Sequence, residues 1–169
     1  MTCTAAEDET DLWGASFEGE SVVIGLGNPY MMDDGVGIQA AKELKRKDLG
    51  AGVRIYEYQT LELSLLWQFR GASKVIVVDA LRSGGTPGTV STYFITPKEG
   101  PMLELPSLHA LQLYDMFDLA SQAEALPCPV TIVGVEPESC NPGEGLTEKV
   151  SAALPRVLEA VVRELGRGS

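Results

Sequence analysis

Residues 21–37 read SVVIGLGNPYMMDDGVG: a strand, a turn and the start of a helix in immediate succession. Ser21–Leu26 is an apolar run rich in β-branched residues, the pattern of a buried strand. Gly25, Gly27 and Asn28 permit a tight turn, and Pro29 stiffens its exit. Gly35–Lys47 then sets Val36, Ala40 and Leu44 on one helical face, with Lys42, Lys45 and Arg46 elsewhere. A buried strand that leads straight into a helix opens an α/β sheet.

The same alternation continues outward. Val53–Tyr58 reads as a second strand and Leu61–Arg70 as a short helix. Lys74–Ala80 (KVIVVDA) is almost continuously apolar, as expected of a central parallel strand covered on both faces. A turn cluster at Ser83–Gly88 (SGGTPG) leads into Thr89–Ile95, which alternates like a half-exposed strand. The short link predicts that it pairs antiparallel with its predecessor. After an irregular stretch at Thr96–Leu108, a helix is predicted over His109–Ala125, a strand over Pro129–Val135 and a closing helix over Thr147–Leu165, kinked or split at Pro155. The expected fold is a three-layer α/β/α sandwich, with a mostly parallel sheet of about five strands and one antiparallel strand. The first strand should lie beside the second and third. Ligands of such sheets bind outside the carboxyl ends of the strands.

The chain has 169 residues, 44% hydrophobic and 22% charged, which is ordinary usage for one soluble domain with a real core. No apolar run reaches the roughly 20 residues of a membrane helix, and no secretory signal pattern opens the sequence. Cys3, Cys128 and Cys140 form neither a zinc-type pair nor a disulfide framework, which agrees with a reducing cytoplasm. The formal net charge is −11, and residues 1–20 hold six acids and no base. This stretch is read as a flexible acidic extension to a single domain over residues 21–169. Repulsion from phosphate backbones argues against a nucleic-acid partner.

Three polar residues carry candidate chemistry. Asp79 ends the most apolar strand; it either caps the next turn or occupies a cleft at the sheet edge. Asp33 and Asp34 stand at a helix start, where one of them can serve as N-cap, but capping does not require two. With the first and third strands adjacent, Asp34 and Asp79 face one crevice. His109, the only histidine, opens a helix, where the dipole favours the neutral ring. A lone histidine is more often structural, yet two carboxylates and a neutral imidazole also suit a divalent transition metal. A single histidine rules out an HExxH site. A dinucleotide fingerprint fails at Tyr30, where the third glycine would fall, and no GxSxG occurs.

The loop GLGNPYMMDDGVG resembles the signature of the nickel-iron hydrogenase maturation endopeptidases, in which G-x-G-N-P leads into D-D/E-x-x-G. The likeness continues through IVVDAL and SGGTPGT (Ile76–Leu81, Ser83–Thr89), SLHALQL (Ser107–Leu113), TIVGVEPES (Thr131–Ser139) and GLT (Gly145–Thr147), in order and at similar spacing. By position, the resemblance implies that Asp34, Asp79 and His109 are the catalytic and metal-contacting residues. It further implies a single cut near the C-terminus of a hydrogenase large-subunit precursor after nickel insertion. The nickel would be carried by the precursor, and no organic cofactor is implied. Many members have D-G-G-T after the second strand; here Glu57, Tyr58, Gln59 and Thr60 stand there. Glu57, Gln59 and Thr60, with Asn28, are therefore expected to bear on substrate recognition. Two other readings stay open: a non-enzymatic nickel-dependent precursor-binding or metallochaperone module, and a peptidyl-tRNA hydrolase-like hydrolase, whose opening loop is similar but has glycine in place of Tyr30.

Overall fold

The computed structural model describes residues 19–60, 71–95, 115–119, 122 and 130–167. Its strands are β1 (Ser21–Leu26), β2 (Val53–Tyr58), β3 (Lys74–Ala80), β4 (Val90–Ile95) and β5 (Val130–Val135). They form one sheet in the order β2-β1-β3-β5-β4. β1 pairs in parallel with both β2 and β3, β3 pairs in parallel with β5, and β4 runs antiparallel to β5. β1, β3 and β5 therefore end at one edge, with Gly25 opposite Val78 and Asp79 opposite Gly134.

One expectation fails: β4 pairs with β5 and not with its predecessor β3. The chain leaving β3 crosses the end of β5. Leu81 N–H donates to the Val135 carbonyl (2.9 Å), Gly88 N–H to the Glu136 carbonyl (2.8 Å) and Glu136 N–H to the Thr89 carbonyl (2.9 Å). Burial explains the order. All six residues of β5 are buried and need a neighbour on either side, whereas β4 is mostly half-buried and suits an edge.

The first helix is preceded by a 3-10 turn, Met32–Gly35, and α1 proper spans Val36–Lys45. The closing helix, α2 (Glu148–Gly166), runs without a break through Pro155. Pro155 lies on its exposed side, where the carbonyl left without a partner can meet water. Val150, Ala153, Val157 and Val161 are buried on either side of the proline and hold both halves to the sheet.

Both faces of the sheet are covered. Val23, Ile76, Val78 and Val133 pack with Val36, Leu44, Val157 and Val161 of α1 and α2. On the opposite face, Val22, Ile24, Val75, Val77 and Ile132 pack with Phe117, from the helical residues 115–119. The helix predicted over residues 61–70, most of that over 109–125, His109 itself and residues 1–18 lie outside the described residues. Glu20 accepts hydrogen bonds from the Arg54 guanidinium at 2.9 and 3.2 Å, and its carbonyl accepts the Ser73 N–H. No described helix is long and apolar enough to cross a membrane.

Candidate active site

The loop after β1 is shaped by close backbone approaches. Gly27 has φ +126°, and a Cβ there would lie 1.7 Å from the Asp34 carbonyl oxygen. A Cβ on Gly37 would lie 2.2 Å from the carbonyl oxygens of both Leu26 and Val78. Only glycine lets the helix start press onto the ends of β1 and β3. Met32 has φ +47°, a costly conformation for a bulky residue. Backbone bonds to a later loop hold it: Met32 N–H to the Gly143 carbonyl (3.0 Å), Asp33 N–H to the Ser139 carbonyl (3.0 Å) and Gly143 N–H to the Tyr30 carbonyl (2.9 Å).

Neither aspartate of the pair caps α1, whose N-cap is Gly35 without a side-chain bond. Asp34 is half-buried, and its Oδ2 accepts the Asn28 N–H at 2.8 Å. Asp79 is only 2% exposed, and its Oδ1 accepts the Ala80 N–H at 2.8 Å. Burial pushes the Asp79 carboxyl up to about 7; the Ala80 N–H opposes this, and the negative charge of Asp34 adds to it. The two aspartates are therefore close enough to feel each other's charge. A carboxyl raised in this way at the carboxyl edge of an α/β sheet can gain or lose a proton near neutrality, and when ionised it can meet a cation.

The residues expected to touch substrate lie at the same edge. Asn28 Oδ1 accepts the Tyr30 N–H at 3.0 Å, so its side chain shapes the loop. Glu57 is engaged by Lys45 at 2.8 Å, while Gln59 and Thr60 are exposed just beyond β2. Cys140 also approaches the aspartates. Burial raises its thiol above the ordinary value, hydrogen bonding to Arg82 opposes this, and Asp34 and Asp33 add to it. A protonated thiol is a poor nucleophile. A cavity of about 240 Å³ lies between the first loop, α1 and α2, lined in part by Pro29, Met32, Gln39, Leu146 and Leu154. Neither Asp34 nor Asp79 lines it.

A family model described as "Hydrogenase maturation protease" matches residues 38–164. The chain belongs to the hydrogenase maturation protease family. It is similar to the hydrogenase 2 maturation protease of Escherichia coli (strain K12), 30% identical over 148 residues that cover 85% of this chain and 89% of that one. Protein FrxA of Pyrococcus furiosus is 32% identical over 142 residues, covering 82% and 99%. Among solved structures, the hydrogenase maturating endopeptidase HybD from E. coli superimposes with a TM-score of 0.74 at 29% identity, covering 87% of this chain and 94% of that one. The chain is a peptidase with the fold of these enzymes.

Two further buried carboxylates lie near this edge: Asp33, which sequence reading offered only as a helix cap, and Glu136, to which it gave no role. Asp33 is fully buried; its Oδ1 accepts the Thr147 N–H (2.7 Å), and its Oδ2 accepts the N–H groups of Glu138 and Ser139 and the Thr147 hydroxyl (each 2.9 Å). Glu136, 8% exposed, accepts from Ser83 N–H (2.7 Å), the Ser83 hydroxyl and Gly84 N–H (3.3 Å). Burial would raise the Glu136 carboxyl, but these hydrogen bonds and one from Gly85 outweigh it and hold it below its ordinary value. The sequence signals were the doubled aspartate, one more than a cap needs, and the place of Glu136 within TIVGVEPES.

Proposed function

We propose that this protease removes the C-terminal tail of a nickel-iron hydrogenase large-subunit precursor after nickel insertion, and that Asp34, Asp79 and His109 engage the precursor's nickel. The observation that carries the reading is the buried Asp79 carboxyl, raised further by the charge of half-buried Asp34, at the carboxyl edge of the sheet in a chain of this family. The name of the E. coli relative, hydrogenase 2 maturation protease, supports a hydrogenase subunit as the object of the cut.

Two carboxylates and one imidazole fill only part of a transition-metal shell, and resident catalytic zinc usually has three firm ligands, mostly His or Cys. A partial set suits capture of an ion that another protein already holds and whose own ligands complete the shell. The nickel is therefore substrate. Asp34, fixed through one oxygen by Asn28 N–H, offers its charge from a rigid position. Asp79 must lose its proton to act as a ligand, and an approaching cation lowers the cost of that loss. Glu57 at the end of the neighbouring strand, with Gln59 and Thr60 just beyond it, would distinguish one precursor from another.

The test is tail release measured by mass spectrometry on nickel-loaded precursor from the same organism, comparing wild type with Asp34→Asn, Asp79→Asn and His109→Ala. The expected result is loss of at least about 100-fold in rate for the two aspartate variants, the scale seen when a positioned group is removed. His109→Ala should weaken engagement with the precursor while shifting stability by only about 0.5 kcal/mol. Wild-type rates in all three variants would refute the assignment.

A further inference from the structure

Asp34 lies in the 3-10 turn that follows β1, Asp79 is the penultimate residue of β3, and the chain around the first and just after the second is tied to one later segment, residues 136–147. At its start, Glu136 gathers Ser83 N–H, the Ser83 hydroxyl and Gly84 N–H, and its own backbone joins Gly88 and Thr89. This pins the chain four residues after Asp79. Further on, Glu138, Ser139 and Thr147 all donate to Asp33, the residue immediately before Asp34. Backbone bonds to Ser139 and Gly143 zip residues 30–33 onto the same segment.

We propose that Asp33 and Glu136 are positioning residues, which act through the 136–147 segment to fix the separation and aim of Asp34 and Asp79. The inference rests on the reading that those two aspartates engage the precursor's nickel. Its physical ground is that loops at a sheet edge are the softest part of such a fold, while ligand oxygens must meet a metal at about 2.0–2.2 Å. Hydrogen bonds to an ionised carboxylate are shorter and stronger than neutral ones, and Glu136 and Asp33 accept three and four of them from other parts of the chain. Asp33 is fully buried and its carboxylate is taken up by that link, while Asp34 is only half-buried and accepts a single backbone N–H.

The test uses the full chain, cadmium as a metal probe by calorimetry, single-turnover tail release from nickel-loaded precursor, and a melting curve for each variant. Asp33→Asn and Glu136→Gln should melt cooperatively yet lose at least about tenfold in both cadmium affinity and release rate, as expected for misplacement of reacting groups by a fraction of an ångström. If either variant fails to fold, single-bond variants decide. Thr147→Val removes one hydroxyl bond to Asp33, and Ser83→Ala removes one to Glu136. Each should lose several-fold in release rate with little change in melting, and Thr147→Ser should restore it. Wild-type rates and affinity in Thr147→Val and Ser83→Ala, or a loss that Thr147→Ser does not restore, would overturn the inference. Asp34→Ala is run alongside. If it releases tail as fast as wild type, the reading of the aspartates falls and the positioning role with it; if it is inactive while the folded brace variants match wild type, only the positioning role falls.

Discussion

Asp79 is buried where an ionised carboxylate costs stability. Its folded value near 7 lies above the ordinary value of 3.8. Between those pH values the folded state binds more protons than the unfolded state, so stability falls as pH rises from about 4 to about 7. Three pH units correspond to roughly 4 kcal/mol, an upper scale for the effect at pH 8. Asp79→Asn keeps the shape and discards the charge. It should melt at a higher temperature than wild type at pH 8, with the gap closing toward pH 5, while tail release is lost. A variant less stable than wild type at pH 8 would show that burial is not straining this carboxylate. Processing by the wild type should rise through about pH 7, because the protonated acid offers no ligand. Asp79 was legible in the sequence because a charged residue interrupts the apolar run KVIVVDA. The role of Asp33 was not, since its partners lie 105 to 114 residues further along the chain and no local pattern announces them.

At the level of elements, the turn from β1 into the 3-10 segment is the most constrained feature. Gly27 combines φ +126° with a phantom Cβ 1.7 Å from the Asp34 carbonyl. Gly27→Ala should therefore cost about 2–4 kcal/mol in urea denaturation, from a disallowed backbone and a clash that only a shift of Asp34 relieves. A change below about 0.5 kcal/mol would mean that the loop adapts freely. Strand and helix positions were readable because burial on both faces leaves continuous apolar runs and a helix leaves a period of 3.6. The partner of β4 was not readable: a short link favours the preceding strand, but here β5 inserts between them because its six buried residues need two neighbours. Pro155 likewise signals a break that the buried stripe of α2 overrides.

Across the whole molecule, the sheet order places β1 and β3 side by side, with their following loops at one edge. That single topological fact brings Asp34 near enough to Asp79 for its charge to raise the Asp79 carboxyl. Residues 136–147 join the chain after β1 to the chain after β3 through the bonds to Asp33 and those made by Glu136. The topology follows from strands alternating with helices and right-handed crossovers, and for that reason the adjacency of β1 and β3 was legible in the sequence. The acidic charge of the chain, −11 in all, adds attraction for a metal-bearing or basic partner surface. The central claim is that this edge reads nickel in the precursor before cutting it. The measurement that tests it most directly is mass-spectrometric tail release by the wild-type protease from one precursor prepared with and without nickel. Release from the nickel-loaded form alone is expected; equal release from both forms would mean that the edge does not read nickel.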